Sequence, residues 1–367
     1  MSRHAEPEID QAVPDCQPGS VTRTKGTQLE LFHARQELDA RDSVNLGFST
    51  SVLAQISMPV EDPGDDCQRW GRRNGKLMMI VTPGSEPDGK GGVRSTKVPY
   101  GVVPRALNLW MCTQIRNTHS PVLEVDEHLA TFMRRLGIRN TGGQRGTRDT
   151  VKDQLKRWLN ASITIVDETG GPRRDTVVTI RVSKGWSLNW LDDNPHATPS
   201  AGSRIIVSSD FFEEVRRAPV PIDIDAWRAL RGSATRLDLF TWLAYTMFSL
   251  KHPVCISYEQ LRQHFGTTDA DDRHARYNFK RLILKHLAKV RVVYPEAKIE
   301  ETPDGLWLYP SPPHVPLKGT YGLRRKARAE TSNARYAAAL AADKGLVPVK
   351  IPSRRKSRQP AGDGNSL

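Results

Sequence analysis

The chain is poor in the residues that fasten small secreted folds and metal sites. Its 367 residues include four cysteines, at 16, 67, 112 and 255, spaced singly with no CxxC pair and no zinc-finger spacing. A disulfide framework is not expected. The thiols read as reduced, with Cys112 and Cys255 as small core residues. No apolar run approaches the roughly 20 residues that a membrane span needs, so no membrane partner is expected. The opening MSRHAEPEIDQ has no apolar h-region, which argues against a signal peptide and for a cytoplasmic protein. Ten histidines include no H-x-H and no H-E-x-x-H, leaving a metal-dependent nicking or protease site without visible ligands. G-x-S-x-G is absent, and Cys112 sits in an apolar stretch rather than an electropositive one. No catalytic residue, metal or cofactor is expected, and the protein does not read as an enzyme.

Negative charge is also scarce. Lys and Arg number 54 against 41 Asp and Glu, a formal charge of +13 and a pI near 9.7. Such a balance points to a polyanionic partner, and without membrane features that partner is nucleic acid. The imbalance is concentrated at the C-terminus. From residue 318 onward twelve Lys and Arg face three acids, Glu330, Asp343 and Asp363, giving +9 of the +13. SRRKSRQPAGDGNSL has the composition of a disordered basic arm that adds salt-sensitive attraction to phosphate.

Apolar residues make up 38% of the chain, enough for real cores, and their periodicity divides it into four parts. Residues 1–43 are polar and read as a flexible N-terminal region, with LELFHARQ as a short helix. Residues 44–208 read as a first domain. In it KLMMIVTP is a buried strand, RSTKVPYG its antiparallel return, and PDGKGG the turn between them. PRALNLWMCTQI is a buried helix with Pro104 at the first position. VDEHLATFMRRLGI is a second helix, capped by Asp126 and stopped by Gly137. A third, at 147–160, puts Val151, Leu155, Trp158 and Leu159 on one face. SITIVDE and TVVTIRVS then flank the turn TGGPRRD.

Residues 209–316 repeat that order. DFFEEVRRA and DAWRALRG lead into the buried helix TRLDLFTWLAYTMFSL. SYEQLRQHFG follows, with Ser257 and Gln260 in capping-box spacing and Gly266 as the stop. A third helix at 276–289 precedes the hairpin KVRVVYP…GLWLYPS. Three helices then a β-hairpin is the order of a winged helix. The expected fold class is therefore α+β: two tandem winged-helix domains, with a largely disordered basic tail at 317–367. The first domain is assigned to dimerisation or a secondary DNA contact, the second to DNA reading.

On a helical wheel the third helix of the second domain turns Phe279, Leu282, Ile283, Leu287 and Val290 to the core. The opposite arc holds Tyr277, Asn278, Arg281, Lys285 and Ala288, with Lys289 at its edge; Arg273 and Arg276 open the helix. Lys280 completes the candidate DNA-binding set. Arg forks onto guanine, Asn pairs with adenine, and flanking cations meet phosphate. The same arc also suits an ordinary solvated helix, but the hairpin and the basic total favour DNA. The wing tip at Pro303, Asp304 and Gly305 is acidic and is not expected to touch DNA much. In the first domain, Asp149 and Asp153 lie beside Lys156, Arg157 and Asn160, and two carboxylates would repel phosphate. Its approach GGQRGTR is better suited, with Arg145, Thr147 and Arg148 placed for phosphate at a helix N-terminus. A protein-contact role suits that helix equally well.

Two patterns are decoys. GSEPDGK at 84–90 matches G-x-x-x-x-G-K, but Gly91 follows where Ser or Thr must hold magnesium, and no helix starts there. It reads as a hairpin turn. Asp192–Asp193 and Asp271–Asp272 suit capping or turns better than metal binding.

The segments PYGVVPRALNLWMCTQI, FMRRLGI–TGG–RGTRDTVKDQLKRWLNASI, FFEEVRRAPVPIDIDAWRAL, LDLFTWLAY and VVYPEAKIEETPDGLWLYPSPP resemble the RepA-type plasmid replication initiators of Gram-negative bacteria. The resemblance spans 45–316 and omits both termini. It implies two winged-helix domains, binding to repeated double-stranded sites (iterons) in a plasmid origin, and melting of nearby AT-rich DNA with host initiator and replicative helicase. Repression of the protein's own promoter is implied as well. A winged-helix transcriptional repressor without a replication role fits the same elements. A tyrosine-dependent nicking initiator lacks its metal ligands.

Overall fold

The computed structural model describes residues 21–41, 43–141, 146–168, 176–190, 202–266 and 272–316, with side chains from residue 30 onward. The basic tail, Arg145, Asp192–Asp193 and Asp271 lie outside the described residues. Everything described falls in one unit, residues 1–317, of mixed helix and sheet.

Helix α1 (Val21–Ala40) leads to strand β1 (Leu46–Thr50), short helix α2 (Ser51–Gln55), and strands β2 (Trp70–Asn74), β3 (Leu77–Thr82), β4 (Ser85–Pro87) and β5 (Val93–Ser95). Helix α3 (Val102–Thr118), strand β6 (Val122–Glu124), and helices α4 (Leu129–Arg135) and α5 (Thr147–Asn160) follow. Strands β7 (Ser162–Asp167), β8 (Thr176–Arg181), β9 (Ser183–Ser187) and β10 (Arg204–Val207) close the first half. The second half runs α6 (Ser209–Arg217), β11 (Pro219–Asp223), α7 (Ile224–Ala229), α8 (Ala234–Ser249), β12 (Val254–Ser257), α9 (Tyr258–Phe265), α10 (Arg273–Val293), β13 (Ile299–Glu301) and β14 (Gly305–Leu308).

The long helices form where the apolar period is 3.6. Helix α3 buries Leu107, Met111, Cys112 and Ile115, and α5 buries Val151, Leu155, Trp158 and Leu159 as its pattern requires. Helix α9 starts with the expected capping box: Ser257 Oγ accepts from Gln260 N–H at 3.1 Å and Gln260 Oε1 from Ser257 N–H at 2.8 Å. Gly137 adopts φ 72° after α4, as a left-handed stop should. Strands β7 and β8 pair antiparallel as expected, and the turn TGGPRRD expected between them lies outside the described residues.

Several local expectations are corrected. KLMMIVTP becomes β3, but its partners are β2 and β7; RSTK returns instead on Ser85–Pro87, as β5 on β4. GSEPDGK is thus the β4–β5 hairpin. Its Asp88 carboxylate accepts from the Lys90 and Gly92 N–H groups, both at 2.8 Å, which holds its pKa below the usual range. Pro104 is the third residue of α3, not the first. Asp126 does not cap α4; His128 stands there and Asp126 pairs with Arg135 at 2.7 Å. Cys255 is exposed on β12 rather than in a core. The LELFHARQ helix extends over Val21–Ala40 and buries Leu31, Arg35 and Leu38 against the rest of the unit, so this stretch is packed rather than free.

The two halves are fastened together. Strand β1 pairs with β11 in register from Leu46↔Asp223 to Thr50↔Pro219. Arg72 on β2 donates to the carbonyls of His264 and Gly266 at 2.6 and 2.5 Å. Arg105 on α3 forks onto Asp238 on α8, both buried.

Candidate nucleic-acid interface

Helix α10 starts at N-cap Asp272, whose carboxylate accepts from Ala275 N–H at 2.7 Å. It extends four residues beyond the expected end, to Val293. Val290 and Val293 continue the buried stripe of Ile283 and Leu287 at helical spacing, so VRVV turns with the helix instead of entering a strand. The hairpin lies later, as β13 and β14, with β12 added beside β14 to make the sheet β12-β14-β13.

The exposed arc of α10 carries Arg273, Arg276, Tyr277, Arg281, Lys285 and Ala288. Asn278 and Lys289 are half-buried beside it. Leu282, expected in the core, is 43% exposed, and with Tyr277 at 64% it adds apolar surface to the cationic face. Among the described residues Arg281 and Lys285 meet no carboxylate. Lys280 is committed within the protein: its Nζ donates to Pro303 O at 2.7 Å and stands 4.4 Å from the centre of the Tyr258 ring. That contact ties the hairpin tip down onto α10. Thr302 accepts from Gly305 N–H at 3.2 Å and Arg291 pairs with Glu301 at 3.2 Å, so the wing is braced by its own polar groups.

The first half places its candidates differently. Thr147 Oγ1 donates to Arg139 O at 2.5 Å and accepts from Thr141 N–H at 3.0 Å, fixing the start of α5. Arg148 is exposed. Arg157, expected on the outer arc, is buried: it pairs with Asp153 at 2.8 Å, donates to Val98 O at 3.2 Å and lies over the Tyr100 ring. Lys156 reaches Glu86 at 3.8 Å. Acid and base on α5 thus neutralise each other, while α10 keeps its charge outward.

Sequence reasoning gave Arg236 no role. This residue of α8 is 6% exposed, and His286 and Lys289 of α10 lie in its electrostatic neighbourhood. Burial, then Arg236, Lys289 and Lys285, hold the His286 imidazole down at about 4, so it is neutral at pH 7. Burial and the same two cationic neighbours, Arg236 and Lys285, lower Lys289. The signal available in the sequence was one arginine heading the largely apolar run RLDLFTWLAYTMF, whose other charge, Asp238, belongs to Arg105.

Residues 98–257 match the family described as plasmid encoded RepA protein. The matched span runs from the turn before α3 to the end of β12, holding both Arg105 and Asp238, and stops before α10 begins. No curated protein matches the sequence. A solved structure, the crystal structure of the RctB domains 2-3, is 11% identical; the match covers 70% of this chain and 94% of that one at a TM-score of 0.39, too loose a likeness to carry the fold across. Among the described residues no group of three His, Cys, Asp or Glu is placed to hold a metal ion, and no helix is long and apolar enough to cross a membrane.

Proposed function

We propose that this protein is a plasmid replication initiator that binds repeated double-stranded sites in its origin, with α10 in the major groove. The observation that carries the reading is the outward face of α10, where Tyr277, Arg281 and Lys285 stand exposed with no carboxylate against them. The RepA match supports the plasmid setting, and the net charge of +13 supports a polyanionic partner. The order α8-β12-α9-α10-β13-β14, with its three-stranded sheet, supports a winged helix at 209–316. The order α3-β6-α4-α5 followed by β7 to β10 supports a second one at 44–208. In that first domain the free edge strand β8 exposes Val177 and Val178, which supports a homodimer contact there. Origin opening with host initiator and helicase, and repression of its own promoter, complete the reading.

The test replaces Arg281 and Lys285 with Ala and compares binding to origin repeats and to random duplex. Loss of one bidentate base contact costs about 1–3 kcal/mol and shows as lost discrimination. Unchanged binding to both duplexes removes α10 from the groove. Replication of a plasmid carrying only the origin, with the gene supplied in trans, separates an initiator from a repressor.

A further inference from the structure

Arg236 is a buried arginine with no counter-ion among the described residues. It is 6% exposed, its Nε has no hydrogen-bond partner, and no carboxylate of the described residues pairs with it. The nearest acid along its own helix, Asp238, is already held by both arms of Arg105. The groups of α10 that feel its charge are positive or neutral: Lys289 and the uncharged His286, whose Nδ1 is also buried and unpartnered, and Lys285 acts on the same two. Burying a lone cation is costly, and a protein retains one chiefly where something else brings the opposite charge.

The surroundings say which charge. Arg236 is the third residue of α8, and the guanidinium folds back over the loop before it: a Cβ on Gly232 would stand 3.6 and 3.9 Å from its two terminal nitrogens. The N-cap, Ser233, makes no side-chain bond to the helix, so the first N–H groups of this 16-residue helix have no cap. A guanidinium beside open helix N–H groups is matched to a tetrahedral oxyanion. On the far side of Gly232 stands exposed Arg231, whose pKa burial and then Arg139 and Arg228 lower against the weaker opposing pull of Glu30. Lys285, on the other side, belongs to the outward face of α10.

We propose that Arg236, the uncapped N-terminus of α8 and Gly232 form a seat for one DNA backbone phosphate, beside the groove that α10 enters. The ligand identification rests on the reading of α10 given above; the anion seat itself rests on Arg236. The phosphate fixes register and contributes affinity without reading sequence.

The full-length protein tests this with three variants. Arg236→Met removes the cation and keeps the volume. Gly232→Asp supplies an internal carboxylate to the guanidinium, and Gly232→Ala controls for the added Cβ, since Gly232 has no left-handed φ and the space accepts a methyl. Expected for Arg236→Met and Gly232→Asp are a Tm no lower than that of the parent protein and several-fold weaker binding, equal on origin and random duplex. The plot of log affinity against log salt should flatten by about 0.9, the share of one phosphate. Gly232→Ala should match the parent. Folded Arg236→Met and Gly232→Asp with unchanged slope and affinity overturn the seat, even while Arg281→Ala still lowers origin binding. A loss confined to origin DNA also overturns it, because it would mark a base contact. If the parent protein binds no duplex, the reading of α10 fails, and thermal shift with inorganic phosphate decides the seat alone. Stabilisation of the parent but not of Gly232→Asp supports an anion site; no stabilisation, or the same in both, overturns it.

Discussion

The pair that joins the two halves gives the sharpest stability prediction. Arg105 has five N–H donors and all five are used: two on the Asp238 carboxylate at 2.6 and 2.5 Å, and three on the carbonyls of Pro59, Gly101 and Met58 at 3.0, 2.6 and 2.7 Å. Side-chain exposures of 6% and 9% mean that neither partner falls back on water. Asp238→Asn leaves the guanidinium charged, buried and facing a neutral amide. Breaking a buried pair from one side costs about 3–5 kcal/mol, because the remaining charge is stranded. At about 2–4 °C per kcal/mol for a large domain, the melting temperature should fall on the order of 10 °C. Arg105→Met strands the carboxylate instead and should cost about as much. The double variant Arg105→Met/Asp238→Leu strands no charge, although the carbonyls of Pro59, Gly101 and Met58 still lose their donor. It should therefore be clearly more stable than the sum of the singles, by about 1–3 kcal/mol of coupling. Urea unfolding of the four proteins measures this. Singles that each cost under about 1 kcal/mol, or costs that simply add, would refute the claim that this pair closes a buried network.

Two further predictions rest on single residues. Burial, then the nearby Arg72, hold the His264 imidazole down at about 3, far below an ordinary histidine. The unfolded chain therefore takes up a proton that the folded one refuses, and stability falls as pH drops below about 6.5, by up to about 1.4 kcal/mol per pH unit for each such histidine. Chemical denaturation between pH 7 and 5, before carboxylates protonate, should show this loss, and His264→Gln should reduce it, leaving the share of His286; a flat parent profile refutes it. Gly305 lies where a Cβ would stand 2.3 Å from Ile256 O, so Gly305→Ala forces β14 off β12 and should destabilise by about 1–3 kcal/mol, whereas Gly89→Ala, with nothing near, should cost no more than the strain of its positive φ.

What the sequence made legible followed distance along the chain. The capping box at Ser257, the stop at Gly137, the buried stripes of α3 and α5 and the β7–β8 hairpin all depend on residues within a few positions of one another, and all stand as expected. The β1–β11 pairing does not, since Leu46 and Asp223 carry no local sign of each other. Strand β12 is only four residues long and gave no periodicity to detect. VRVV was misread because two β-branched residues at i and i+3 satisfy a helix stripe as well as a strand, and only the packing of Val290 and Val293 decides. Exposed and buried cations were hardest to tell apart. Arg157 and Arg236 look alike on a wheel, yet one is neutralised by Asp153 and the other by no carboxylate among the described residues.

That contrast bears on how the charge is used. Where the first half needs a buried arginine it supplies acids, Asp153 and Asp62 at 2.8 and 3.6 Å from Arg157, and the local field is largely cancelled. Around the start of α8 and the face of α10, Arg236, Lys285 and Lys289 pair with no acid among the described residues. Like charges held close in a folded protein repel, and that repulsion lowers stability unless a polyanion relieves it. Duplex DNA should therefore raise the melting temperature most at low salt. The gain should shrink as salt screens phosphate and cation alike, and more slowly in Arg236→Met than in the parent. If duplex stabilises both proteins equally at every salt concentration, the uncancelled charge is not directed at DNA.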